Sequence, residues 1–114
     1  MQLTAQRFPD ATLITVLESR IDAAAAIAFK DGIRDLADGG ASRIVLDLAG
    51  VDFVDSSGLG AIVAVMKLLG KERTLELAAL SPAVEKVFRL TRMDSVFTIH
   101  PNASEAPGIQ NLTS

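Results

Sequence analysis

Apolar residues recur along this chain with two periods. Thr12-Leu13-Ile14-Thr15-Val16-Leu17 is rich in β-branched residues and reads as a strand. Residues 3–8 precede it across a Pro9-Asp10 turn, so the two segments predict an antiparallel hairpin. Arg43-Ile44-Val45-Leu46-Asp47-Leu48 alternates as a half-buried strand does, with Ile44, Leu46 and Leu48 on one face. Thr74-Leu75-Glu76-Leu77-Ala78-Ala79 repeats that alternation, and Ser95-Val96-Phe97-Thr98-Ile99 predicts a short closing strand. The other segments follow the helical period. Phe29, Ile33 and Leu36 share one face of an Ala-rich stretch that Asp22 would cap and that Asp38-Gly39-Gly40 would stop. Residues 57–71 are apolar on most sides and end at Gly70, which predicts a well-buried helix. Ser81-Pro82 places a capping Ser before a Pro at the first helical position, and Val84, Val87, Phe88 and Thr91 line one face of the helix it opens.

The predicted order is β-β-α-β-α-β-α-β, an α/β chain with a mixed, mostly parallel sheet of about five strands. Each strand–helix–strand unit is expected to cross over in the right-handed sense. Strands that step one way across the sheet collect the helices mainly on one face. Alternation in two strands fits that arrangement, because a sheet covered on both faces reads as continuous apolar runs. The 114 residues suit one domain, with a core over residues 2–100 and a polar, frayed tail over 101–114 in which a short helix near Ala103 is weakly signalled.

Composition narrows the chemistry. Apolar residues make up 49% of the chain, with five Phe and no Tyr or Trp, so the core is aliphatic. The absence of cysteine excludes disulfides, zinc–thiolate sites and Cys nucleophiles. The net charge of −3 is spread along the chain with no basic stripe, which argues against nucleic acid and leaves basic surfaces on proteins as plausible targets. The most apolar run, residues 58–70, contains Lys67 and falls short of the ~20 residues a membrane span needs. The N-terminal residues carry no signal-peptide pattern. These features predict a cytoplasmic protein without direct membrane insertion, as a monomer or weak dimer, and imply no cofactor, no metal ligands and no catalytic residues.

The most informative stretch is residues 44–69, where a strand leads through Asp55-Ser56-Ser57-Gly58-Leu59-Gly60 into the apolar helix. Ser56 and Ser57 fall where an N-cap belongs, at the positive end of the helix dipole. Gly58 and Gly60 remove side-chain bulk, so that another protein could approach closely. Asp52 and Asp55 add negative charge. Read blandly, Asp-Ser-Ser before a helix is ordinary capping and loop glycines are common. The segment is not a P-loop, since it lacks the spaced Gly-Lys-Ser/Thr. It is not a nucleophile elbow either, since Val54 stands where G-x-S-x-G needs its first Gly. A Ser-His-Asp triad would require His100, the single histidine.

This stretch resembles the signature of the STAS family, in particular the bacterial anti-sigma factor antagonists, in which an I-V-L-D-L strand precedes D-S-[ST]-G-L-G and an apolar helix. Here those residues are Ile44-Val45-Leu46-Asp47-Leu48 and Asp55-Ser56-Ser57-Gly58-Leu59-Gly60. Ser81-Pro82-Ala83-Val84 and residues 90–97 resemble the family's later helix start and closing segment. Leu17-Glu18-Ser19-Arg20-Ile21-Asp22 resembles its L-x-G-x-[IL]-D, with Ser19 in place of the usual Gly. The resemblance spans about residues 12–100.

What it implies is a STAS fold and a binding protein rather than an enzyme. The unphosphorylated form of such a protein binds an anti-sigma factor that is also a serine kinase, and so releases a sigma factor. The kinase phosphorylates the Ser after the motif Asp, which maps to Ser56, and a metal-dependent serine phosphatase reverses it. Asp22, Asp55, Ser57, Gly58, Leu59 and Gly60 become candidate partner contacts, although Asp22 has a simpler role as a helix cap. The competing readings are a non-switching STAS subunit of a transport or signalling complex, and an enzyme using Ser56 as nucleophile, against which the lack of a nearby base argues. Asn102-Ala103-Ser104 and Asn111-Leu112-Thr113 match glycosylation sequons that a cytosolic chain would not use.

Overall fold

In a computed structural model, which describes residues 1–109, the hairpin forms as β1 (Leu3–Arg7) and β2 (Ala11–Val16), paired antiparallel. A two-residue strand β3 (Arg20–Ile21) leads to helix α1 (Ala26–Ala37). Strand β4 (Arg43–Asp47), a second two-residue strand β5 (Phe53–Val54) and helix α2 (Ser56–Leu69) follow. Strand β6 (Thr74–Ala78), helix α3 (Pro82–Leu90) and strand β7 (Thr98–His100) complete the order. The main sheet runs β1-β2-β4-β6-β7, with every pair after the first parallel. It therefore steps one way through its parallel strands, and the three helices share one face with the main core.

That core is aliphatic at its centre. Ile14, Ile33, Ile44, Leu46, Ile62 and Leu77 are all fully buried. Phe88 meets Phe97 edge-on, with ring centroids 6.0 Å apart. The closing strand starts three residues later than its apolar pattern predicts. Arg92 adopts a left-handed conformation (φ 60°), Met93–Ser95 form a 3-10 turn, and only then does the chain extend as β7.

Two differences from the sequence pattern matter. Asp22 is not the N-cap of α1. Its Oδ1 accepts the Ala25 N–H at 3.1 Å, closing a separate turn, and the helix starts at Ala26 behind an uncapped Ala25. The chain here follows the small β3–β5 ladder, which two-residue strands leave invisible to periodicity. Ser19, in the position of the family Gly, is not among the non-glycine residues of positive φ, so it carries no strain of that kind. Its carbonyl accepts the N–H groups of Asp52 (2.9 Å) and Phe53 (3.2 Å), which fixes the start of that ladder.

The second difference is the back of the sheet. Residues 101–109 do not fray. Ala103, Ala106 and Ile109 are buried against Ala11, Leu13, Val45 and Ala78, after a 3-10 turn at Ala103–Glu105. Burying a side chain such as Ile109 contributes about 1.5–3 kcal/mol, enough to hold a short segment in place. Asn111 and the rest of the tail lie outside the described residues.

A charged cluster anchors this segment. Arg43 Nε and Nη2 donate to Glu76 Oε2 (2.7 Å) and Oε1 (2.8 Å), while its Nη1 donates to the Pro107 carbonyl. His100 Nε2 stands 2.7 Å from Glu76 Oε1. Hydrogen bonds from Arg43 hold the Glu76 carboxyl below the usual carboxylate range; burial opposes the shift and His100 adds to it. A lowered folded-state value means stability present in full above the ordinary value of 4.5 and lost as pH falls through the lower folded one. Glu76→Gln should therefore cost about 2 kcal/mol at pH 7, somewhat below the range for fully buried pairs. In urea titrations the gap from the parent should narrow once pH drops below the folded value; a gap independent of pH would contradict this account.

The glycines of the motif divide just as sharply. A Cβ on Gly58 would overlap the Ile21 carbonyl oxygen and stand 2.7 Å from its carbon, so β3 and α2 approach through this glycine. A Cβ on Gly60 would meet nothing within 4 Å. Gly58→Ala should destabilise the fold by about 3 kcal/mol. Gly60→Ala, inside a helix, should stabilise it by about 0.5–1 kcal/mol. Thermal melts of the two variants test the difference, and equal shifts would contradict it.

Candidate functional site

The motif lies at the junction of β5 and α2, where Asp55 leaves the ladder in an extended conformation (φ −95°, ψ −175°) and becomes the N-cap. Its Oδ1 accepts the Gly58 N–H at 2.8 Å and its Oδ2 accepts the Ala23 N–H at 3.3 Å. This corrects the placement of the cap at Ser56 and Ser57. A carboxylate has two acceptor oxygens and a charge to set against the helix dipole, so one side chain both caps α2 and ties down the turn before α1. Ser56 and Ser57 become the first two helical residues, and both are exposed. The hydroxyl of Ser56 is not spent on capping.

Asp22 reaches the same turn from its other side. Its Oδ1 takes the Ala25 N–H, and its Oδ2 lies 3.3 Å from Arg20 Nε. The Arg20 guanidinium also lies over the Phe53 ring, 3.9 Å from its centroid. Asp22 and Asp55 are thus brought to one turn, each engaged with a different backbone N–H. Sequence alone does not single out Arg20 and Phe53; the pairing of this exposed cation with this exposed ring needs the β3–β5 register to become visible.

The predicted contact residues separate into two groups. Gly58 is buried and its open side is filled by Ile21, so it serves internal packing rather than a partner's approach. Leu59 is half-buried, and Ser56, Ser57 and Gly60 are exposed. Nor is α2 buried on most sides: only Gly58, Ala61, Ile62 and Val65 are fully enclosed, and Leu68 is 58% exposed. The exposed face meets α3 across a groove of about 620 Å³, whose lining includes Ser56, Leu59, Gly60, Val63, Val87 and Met93. Spacing of three and four from Ser56 through Leu59, Gly60 and Val63 marks the α2 wall in sequence; the α3 wall has no such signal.

His100 is held by Glu76 on the back of the sheet, where the neighbours Leu75 and Leu77 of Glu76 face the opposite, helix-side core. It is therefore not placed to activate Ser56, which sits on the helix layer. Among the described residues no group of three or more His, Asp or Glu could hold a metal ion, and no helix is long and apolar enough to cross a membrane.

Comparison with known proteins bears on this arrangement. The family model for the STAS domain matches residues 2–106. A protein of Bordetella bronchiseptica named as an anti-sigma factor antagonist, BtrV, is 33% identical over 107 residues, 93% of this chain and 90% of that protein. The crystal structure of an anti-sigma factor antagonist from Mycobacterium paratuberculosis superposes with a TM-score of 0.80 at 26% identity, over 91% of this chain and 88% of that one. The Bacillus cell fate determinant SpoIIAA in its phosphorylated form shares the fold, with a TM-score of 0.66 at 20% identity over 91% of this chain and 95% of that one. With the mixed, mostly parallel sheet, the one-sided helix layer and the Asp-Ser-Ser-Gly-Leu-Gly junction all in place, this chain belongs to the STAS domain family.

Proposed function

We propose that this chain is an anti-sigma factor antagonist that switches partners through Ser56. In its unphosphorylated form it binds an anti-sigma factor serine kinase and so frees a sigma factor. Phosphorylation of Ser56 by that kinase ends the interaction, and a metal-dependent serine phosphatase restores it. The protein works in the cytoplasm and by binding, not by catalysis of its own. The names of the Bordetella and Mycobacterium relatives support the antagonist role. The observation that carries the choice of Ser56 is that Asp55 does the capping and leaves the neighbouring hydroxyl exposed at the first helical position.

The physics of the switch is local. A phosphate adds about −1.5 to −2 charge and three acceptor oxygens. It arrives beside Asp55, at the mouth of an apolar groove, where it must be desolvated or repelled when a partner docks. Each ~1.4 kcal/mol of that cost weakens binding tenfold. The N-terminal N–H groups of α2 can hold the phosphate, so the helix does not need to melt. Gly60, exposed and unopposed, leaves room for the partner's backbone beside the acceptor.

The test is incubation with the serine kinase and ATP, followed by mass mapping. The label is expected on Ser56, with Ser57→Ala still a substrate and Ser56→Ala not. In binding assays Ser56→Ala should match the unmodified protein, and Ser56→Asp should bind the kinase at least about tenfold more weakly. Label on Ser57, or equal affinity of the two Ser56 variants, would refute the reading.

A further inference from the structure

The groove between α2 and α3 carries more than a phosphate switch requires. Its α2 wall runs from Ser56 to Lys67, about 16 Å of helix. Between these ends the lining is mostly apolar, with Leu59 and Val63 facing Val87 and Met93. The two ends differ in charge. Beside Ser56 stands Asp55, which lines the groove, while Asp22 at the neighbouring turn is paired with Arg20. At the far end Lys67 is exposed and has no acidic side chain within salt-bridge distance among the described residues. Lys67 also borders a second depression with Lys30 and Arg34, where Asp31 is the nearby acid and is already paired with Arg34 at 3.1 Å. An unpaired lysine at the end of an apolar trough points to a carboxylate supplied from outside.

We propose that this groove takes an apolar segment of the anti-sigma partner, lying along α2 with an acidic residue at Lys67. The proposal rests on the antagonist reading above and specifies what the partner presents. Lys67 fixes the direction in which the segment lies, because reversal would carry the partner's acidic residue to Asp55, where like charges repel. About two to three turns of helix, or a shorter extended strand, match the available length. Phosphate on Ser56 then acts at one end of the same groove, adding bulk and charge where the apolar segment must pack.

The experiment measures association and dissociation rates of the anti-sigma serine kinase with the parent protein, Lys67→Glu, Val63→Arg and, as a control on the exposed β1 strand, Gln6→Glu. Melting curves confirm that each variant folds; Lys67 is exposed, so its variant keeps the test alive if Val63→Arg does not fold. Val63→Arg should weaken binding about tenfold or more, by putting a charge into the apolar trough. Lys67→Glu should weaken it about fivefold or more, chiefly by slowing association, and should change the salt dependence of the association rate. Gln6→Glu should behave as the parent. If the kinase binds the parent and both groove variants alike, the groove is not the docking site and the Ser56 switch stands without it. If the groove variants only abolish self-association of this chain, the occupant is a second copy and the proposal fails. If the kinase does not bind the parent at all, both readings fall.

Discussion

The carboxylate of Asp55 is the hinge of this molecule's functional end. One oxygen caps α2 through Gly58 and the other holds Ala23, so a single side chain joins the β5–α2 junction to the turn before α1. The surrounding contacts are arranged about that pair of hydrogen bonds. The β3–β5 ladder brings Ile21 against Gly58, so closely that only a glycine fits. Asp22 closes the same turn from the other side. Because the charged cap accepts the Gly58 N–H where α2 begins, Ser56 need not, and Ser56 stays exposed at the positive end of the helix dipole. A residue free to be modified is a consequence of its neighbour doing the structural task.

Much of this was legible in the chain. The alternation of Ile44, Leu46 and Leu48, the Ser81-Pro82 start of α3 and the Gly70 stop of α2 all act within one turn or one strand, and the structure keeps them. The elements that periodicity missed are too short to have a period. Strands β3 and β5 have two residues each and are defined by pairing across more than 30 positions. The cap moved from Ser56 to Asp55 because both are good caps, and the choice depends on Ala23, which is distant in sequence. The two glycines of the motif look alike in sequence and differ entirely in space, since only Gly58 has another backbone against it.

The back of the sheet shows the same limit. Val45 and Glu76 sit among residues whose alternation suggests a wetter face, yet a nine-residue segment after β7 covers them. Its composition is polar, and its three anchors, Ala103, Ala106 and Ile109, are spaced too sparsely to announce a core. The pairing of Arg43 with Glu76 fixes that segment through the Pro107 carbonyl, a contact across 64 positions. The result divides the sheet in two: one face and its helices carry the candidate site, while the other is closed by charge and a short apolar strap.

The central claim is that Ser56 can carry a phosphate while Asp55 keeps α2 capped, so that charge changes and fold does not. The direct measurement is amide hydrogen exchange of the protein before and after phosphorylation at Ser56, read at Gly58 and Ala23. The account predicts that both amides keep their protection and that changes stay within the first turn of α2 and the groove beside it. Loss of protection at Gly58 and Ala23 together, spreading into β3 and α1, would show that phosphate displaces the cap and would contradict it.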